Sequence, residues 1–319
     1  MLPLTTLGDL IADLCLDVES FPILPPGHQT LSGLALGPGG AGNALVAAAR
    51  LGLPAVALGC VGDDWIGARV LTHLNAEGVE AGRVMRQTGA DTRTAVRLRA
   101  GTGEQVFMGR PGGLGPATLP ETWAHAIADS GVLLVDGWSF FHSNPALVLQ
   151  GVEAASQASV PLLFDPGPRV GAIDPEWLRT VTRAATVILA TEPEHQALTR
   201  QLDLRDLRAL KSLRALILKL GPGGCVISTA VERIVCPGYP VEARDATAAG
   251  DCFAAGVAWG LLTGQPWAVI GAIANAVGAA KALKVGTALA APTRAEIGDV
   301  LRAHSPELAR LFEWASPTS

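Results

Sequence analysis

The chain is poor in charge. Only 17% of its 319 residues are Asp, Glu, Lys or Arg, and the 24 basic residues are outnumbered by 29 acidic ones, for a formal charge of −5. That balance argues against nucleic acid or an anionic membrane as the main partner, while leaving room for a local phosphate site. Cysteines are few, scattered and odd in number: Cys15, Cys60, Cys225, Cys236 and Cys252 form no CxxC pair and no Cys/His cluster. This argues against a zinc site or a disulfide framework and for thiols in a reducing compartment. No apolar run reaches the ~20 residues of a membrane helix before Gly, Pro or charge cuts it. No cationic start precedes an apolar stretch at the N-terminus, where Asp9 and Asp13 stand instead. Together these absences lead to the expectation of a soluble cytoplasmic protein. What the chain has in quantity is apolar material, 49% of its residues, enough for a large core in one domain or two.

Apolar runs alternate with Ala- and Leu-rich stretches from end to end. Core strands are expected at 55–60, 132–135, 161–164, 187–189, 216–218 and 225–228, with helices at 43–51, 66–77, 145–156, 193–200, 251–262 and 267–283. Strands that are apolar throughout and separated by helices indicate a mainly parallel sheet covered on both faces. One stretch departs from this rhythm. Segments 92–98 and 105–109 flank a turn-rich 99–104 and read as a hairpin. With 7–18 and 30–36, this hairpin is expected to build a small extra sheet, a lid. No repeat, low-complexity tract or long linker divides the chain, so residues 1–319 are expected to form one α/β domain carrying that lid.

The segment Asp245-Ala246-Thr247-Ala248-Ala249-Gly250-Asp251 leads into an apolar helix. Small side chains at 248–250 let backbone N–H groups converge at the helix N-terminus, where the helix dipole adds positive potential, and this makes an anion site. The Asp251 carboxylate stands beside it. The two are electrostatically opposed unless a reaction uses both. Phosphoryl transfer does: the cradle stabilises the moving group, and the acid orients a hydroxyl and takes its proton. The plain alternative is a helix cap, a role Asp often fills.

A second glycine-rich run, Gly37-Pro38-Gly39-Gly40-Ala41-Gly42, fits G-x-G-x-x-G and is followed at about the right distance by Asp63. A dinucleotide-binding oxidoreductase is the rival this raises. Against it, 29–33 is too polar for a central buried strand. Asn43 also has no role in a dinucleotide turn, whereas its amide suits hydrogen bonding to a polyhydroxylated ligand.

Taken together, these segments resemble the signatures of the ribokinase-like (PfkB) family of carbohydrate and nucleoside kinases. The 245–251 segment is similar to the family's C-terminal D-T-x-G/A-A-G-D. Pro38-Gly39-Gly40-Ala41-Gly42-Asn43, continuing to Leu51-Gly52, is similar to its N-terminal G-G-x-x-x-N and Ala-rich helix, and Gly59-Cys60-Val61-Gly62-Asp63-Asp64 and Phe164-Asp165-Pro166 agree further. The resemblance implies a three-layer αβα sandwich with a mainly parallel central sheet and a small β-sheet lid. It also implies an enzyme that moves the γ-phosphoryl group of ATP, with Mg²⁺, to a primary hydroxyl of a small sugar or polyol. A nucleoside is the alternative acceptor, and a non-catalytic sugar or nucleotide sensor is the reading from another class. Because the lid often mediates dimerisation in the family, a homodimer is expected.

The resemblance also implies roles for individual residues. Asp251 corresponds to the catalytic base, and Ala248, Ala249 and Gly250 to the anion hole. Asp13, Gly39, Gly40 and Asn43 correspond to the floor that holds substrate hydroxyls. Gly221, Gly223, Gly224 and Asn275 fall where ATP is bound, and Lys219, standing where a threonine is usual, is placed to reach nucleotide phosphates or to end a strand in solvent. Glu194 corresponds to an acid linked indirectly to Mg²⁺, and Asp245 and Thr247 to a monovalent-cation loop suited to K⁺. Lys281 and Lys284 fall near that loop, and an ammonium standing in for K⁺ ranks below K⁺ itself. Pro38, Thr191 and Ala246 depart from the family's glycine, asparagine and threonine. The six histidines show no paired spacing and are expected at the surface or satisfied in the core. Trp138, Phe140 and Phe141 either border the substrate pocket or pack core.

Overall fold

The computed structural model describes residues 1–204, 207 and 210–314. Two sheets organise them. The larger contains β1 (Leu4–Gly8), β4 (Ala55–Gly62), β5 (Met85–Gln87), β8 (Val132–Asp136), β9 (Leu162–Asp165), β10 (Val187–Thr191), β11 (Ala215–Lys219), β12 (Cys225–Ser228) and β13 (Arg233–Cys236), in the order β13-β12-β11-β10-β9-β8-β1-β4-β5. Every pairing from β5 across to β11 is parallel, and β12 and β13 extend the sheet as antiparallel strands. The smaller sheet is the lid, with order β3-β2-β6-β7, where β2 is Leu10–Val18, β3 is Gly33–Gly40, β6 is Thr94–Ala100 and β7 is Gln105–Arg110.

Successive strand residues point to opposite faces, and here both faces are buried. Leu163, Val187, Leu189, Ala215 and Ile217 pack beneath the helices Ala41–Arg50, Ala249–Leu262, Trp267–Ala282 and Arg294–His304. Their neighbours Leu162, Phe164, Ile188 and Leu216 pack beneath Glu121–Ala128, Pro145–Gln157, Pro175–Ala184 and Glu192–Leu202 on the other side. The result is a helix–sheet–helix sandwich. Among the described residues, no helix is long and apolar enough to cross a membrane.

The lid differs from its expected outline in two places. Leu7 and Gly8 end β1, an interior strand of the main sheet, so the chain enters the lid only after Asp9. Strand β3 also runs on to Gly40, so the glycine-rich run is strand, not turn. Its last residue, Gly40, has φ +56° and feeds the helix Ala41–Arg50; a Cβ there would lie 2.4 Å from the Asp9 carbonyl oxygen. Pro38 costs no ladder bond. It faces Ala12, whose N–H donates away from β3 to the Arg93 carbonyl at 2.9 Å, so the pair is a non-hydrogen-bonded one on an edge strand. A glycine run on a lid edge lacks the central strand that a dinucleotide site needs. Asp63 is exposed, and Asp64 caps the helix Trp65–Ala76 by accepting from Gly67 N at 2.7 Å.

Candidate active site

The parallel strands deliver chemistry at their carboxyl ends. Asp136 is the last residue of β8, Asp165 of β9, Thr191 of β10 and Lys219 of β11, and Asp9 directly follows β1. The chain runs outward from β1 in one direction through β4 and β5, then returns to build β8 to β11 on the other side. Ligands bind open α/β sheets in the crevice at such a reversal. Here the crevice is a cleft of about 760 Å³ between the strand ends, the lid and the N-terminus of the Ala249–Leu262 helix.

Asp251 is the third residue of that helix and does not cap it. The cap position is Ala248, held at φ +62° in the left-handed region, an uncommon conformation for a residue with a side chain that costs of order 1 kcal/mol. This sharp entry aims the first turn of the helix into the cleft. The Ala249 N–H turns back to the Ala246 carbonyl at 3.1 Å, so the expected anion-hole donors narrow to the next first-turn N–H groups, those of Gly250 and Asp251. The Asp251 carboxylate accepts from Asn43 Nδ2 at 2.8 Å. Burial, reinforced by the nearby Asp165 charge, raises its pKa to about 6, while Asn43 and the Lys219 ammonium pull the other way.

The residues expected to form a substrate floor come from the lid and from the helix Ala41–Arg50 behind it. Asp13 on β2 faces the cleft with its pKa raised to about 7, chiefly by burial and further by the charges of Asp251 and Asp9, against the Thr287 hydroxyl, which lowers it. Gly39 makes room for it: a Cβ there would lie 2.3 Å from the Asp13 carboxyl. Asn43 is 5% exposed, and its Oδ1 is buried without a hydrogen-bond partner.

Lys219 donates to Asp165 Oδ2 at 2.6 Å and lies 3.9 Å from Glu194 Oε2. It is therefore neither a solvated strand end nor a simple substitute for a threonine. Thr191, in place of the family's asparagine, forms a capping box with Glu194, whose Oε2 accepts from the Thr191 N–H at 2.7 Å. On the far side of Lys219 and Gly250 lies a second pocket of about 430 Å³, with Gly221, Gly224, Tyr239 and Asn275 in its wall. Gly223 is not part of that wall. Asn275 spends its amide nitrogen on the carbonyls of Cys236 and Pro237, at 3.0 and 3.1 Å, and so shapes the wall.

Two expectations need correction. His142 is not a bystander: its Nδ1 hydrogen-bonds the Asp9 carboxylate, it stacks on Trp138 with ring centroids 5.2 Å apart, and both rings line the cleft. Asp245 and Thr247 do not present free oxygens to an ion. The Asp245 carboxylate takes the buried Arg97 guanidinium, the Gly286 N–H at 2.9 Å and the Thr247 N–H at 3.0 Å, and Arg97 also donates to the Thr247 hydroxyl at 3.3 Å. Sequence reasoning gave no role to Asp9, Asp136 or Asp165. The available signal was an acid closing an apolar run, as in Leu133-Leu134-Val135-Asp136 and Leu162-Leu163-Phe164-Asp165.

Comparison with known proteins agrees with this geometry. The description "pfkB family carbohydrate kinase" matches residues 1–294. The chain belongs to that family. It is 29% identical over 294 residues to the ATP-dependent ribose-1-phosphate kinase of Halopiger xanaduensis, covering 92% of this chain and 96% of that one. It is 27% identical to the ribokinase of Bacillus subtilis, over 83% of this chain and 87% of the relative. Among solved structures, the nucleoside kinase of Burkholderia thailandensis in complex with inosine superposes with a TM-score of 0.75 at 23% identity, covering 94% of this chain and 97% of that one; this likeness bears on the fold alone. The protein is a ribokinase-like sugar kinase, and its three-layer sandwich with a separate small sheet is the fold of that group.

Proposed function

We propose that this kinase transfers the γ-phosphoryl group of ATP to a primary hydroxyl of a small sugar or related polyol. One observation carries the reading: two pockets meet at Lys219 and Gly250, and Asp251 faces the larger of them. The smaller, largely apolar pocket suits an adenosine moiety. The larger, lined by carboxylates and amides, suits a polyhydroxylated acceptor. Asp13 and Asn43 hold acceptor hydroxyls. Asp251 orients the attacking one and takes its proton late, because a carboxylate of pKa about 6 cannot deprotonate an alcohol in the ground state. The N–H groups of the first helical turn and the Lys219 ammonium stabilise charge on the moving group. Bound Mg²⁺ would neutralise phosphate charge. Asp165 and Glu194 both face Lys219 at the junction, which fits an ion borne mainly by phosphates with one or two protein carboxylates.

A nucleoside acceptor is the second reading, supported by the Trp138–His142 stack and by Phe107 and Met108 of the lid in the cleft wall. We further infer a homodimer formed through β7. This edge strand exposes Val106, Phe107 and Met108, and an unpaired apolar edge is a template for a second copy. Five free cysteines suit the reducing cytoplasm.

The deciding experiment is a coupled ADP-release screen across pentoses, ketohexoses, sugar acids, sugar phosphates and nucleosides. Turnover with one sugar class and weak turnover with nucleosides is the expected result. No ADP release with any member, together with measurable ligand binding, would make the protein a sensor.

A further inference from the structure

The loop 244–248 connects to the anion-facing helix turn, so whatever fixes this loop fixes the cradle. Its side-chain oxygens and the Asp245 carbonyl already meet the protein's own cations. Lys281, fully buried at the end of the Trp267–Ala282 helix, donates from Nζ to the main-chain carbonyl of Asp245 at 3.2 Å and to that of Lys284 at 3.0 Å. From the lid side, the buried Arg97 guanidinium takes the Asp245 carboxylate and the Thr247 hydroxyl. The Asp245 N–H is tied to the Ala282 carbonyl at 3.1 Å. A monovalent metal ion needs several oxygens converging on one point, and here the Asp245 carbonyl, the Asp245 carboxylate and the Thr247 hydroxyl each meet a cationic side chain. The residues do not fit K⁺.

We propose that the Lys281 ammonium is the built-in cation of this loop. With Arg97, it holds the turn at Ala248 in place, so the kinase needs no monovalent metal ion. An ammonium carries one positive charge and three donors on a compact head, enough to bridge two carbonyls that would otherwise face each other. Unlike a dissociable ion, it is tethered through a helix that packs against the Ala249–Leu262 helix. The cradle's order is thereby part of folding and is independent of the surrounding salt.

The test uses the full-length protein in buffer free of K⁺, Na⁺ and ammonium. Thermal melting and ADP release are compared in KCl and in tetramethylammonium chloride at matched ionic strength. Wild type is expected to melt at the same temperature in both salts and to turn over within about twofold. Lys281→Ala removes the head and leaves space beside the carbonyls. It is expected to melt several °C lower and to lose turnover by roughly tenfold or more, with both recovering in KCl but not in tetramethylammonium chloride. If Lys281→Ala does not fold, Lys281→Met keeps the packing of the stem and removes only the charge; the same losses are then expected. A wild-type protein stabilised or activated several-fold by K⁺ would overturn the proposal, as would a folded Lys281 variant with wild-type melting and turnover in K⁺-free buffer. The melting comparison needs no substrate, so a mistaken substrate class leaves it standing.

Discussion

Replacing Asp251 with asparagine should make the protein more stable and nearly inactive, and the size of the first effect follows from the site. Burial and the charge of Asp165 hold the carboxyl at about 6 against an ordinary 3.8. At about 1.4 kcal/mol per pKa unit, ionising Asp251 in the fold costs up to about 3 kcal/mol more than in the unfolded chain. An amide of the same shape escapes that cost and can still accept from Asn43, but it places an N–H₂ where an oxygen was. An unpaired donor there gives back about 1 kcal/mol. The net gain, about 2 kcal/mol, corresponds to a Tm rise of about 3–4 °C for a chain of this length. The sign with pH is fixed. The group is charged when deprotonated and its folded pKa is raised, so the wild-type penalty is complete above ~6, shrinks as pH falls toward ~4, and is absent below that. The mutant's Tm advantage should therefore be largest at neutral pH and fade on acidification. The kcat for phosphoryl transfer should drop by about 10³, as for loss of a general base, with nucleotide affinity held within a few-fold. Differential scanning calorimetry across pH and steady-state ADP release read both quantities. Turnover close to wild type, or a Tm that falls on substitution at neutral pH, would refute the assignment of Asp251 as a buried, strained base.

Three further substitutions probe the neighbouring groups. Gly250→Val adds a branched side chain on the cleft side of the first helical turn, where the nearest outside atom is Lys219 Nζ at 3.9 Å. The protein should fold normally yet lose turnover by at least ~10²-fold because phosphate cannot approach the backbone, and a folded, active variant would misplace the cradle. Asp13→Ala should raise the acceptor KM by ~10-fold or more with the ATP KM unchanged, and an unchanged acceptor KM would move the substrate floor elsewhere. Lys219→Met strips the ammonium from the junction of the two pockets and leaves Asp165 unpaired. Nucleotide affinity and kcat should both fall by ~10-fold or more, whereas an unaltered nucleotide KM would make Lys219 a structural partner of Asp165 only.

Most of the scaffold was legible because its strands are apolar throughout and its helices open on strong signals. Pro145 and Pro193 stand in first turns behind Asn144 and Thr191, whose side chains cap the two helices, whereas the helix Pro175–Ala184, opened in the same way by Asp174, was missed. The lid hairpin announced itself through its turn, and the structure pairs Thr94 with Arg110 through to Arg99 with Gln105. Other features were hidden for physical reasons. Strand β1, Leu4–Gly8, carries two threonines and ends in a glycine, so its central place in the sheet has no local signature. The glycine run of β3 looked like a turn because its pairing comes from β2, a partner that local propensity does not see. His142 gave no sequence signal, since its partner Asp9 lies 133 residues away. Arg97 was hidden for the same reason: its alternation placed it in a strand, but only the fold brings Asp245, 148 residues on, against it.

The site we propose for a polyphosphate is lined by acids, and the geometry resolves the conflict through pairing and raised pKa values. Asp9 is hydrogen-bonded to His142, Asp165 is neutralised by Lys219, and Asp245 is neutralised by Arg97 and held at about 2 by burial-opposing hydrogen bonds from Gly286 and Thr247. Asp136 is pushed well above the ordinary range by burial and the neighbouring Asp9, and it accepts from the Ser139 N–H at 2.9 Å. Asp13, at about 7, is neutral for about half the molecules at pH 7. Asp251, with its pKa at about 6, stands in the cleft beside a helix N-terminus and an ammonium, where it is placed to take a substrate proton. The acids that sequence counting makes forbidding are thus mostly spent on one another's cations or raised in pKa, and the negative charge that remains sits where the attacking hydroxyl needs it.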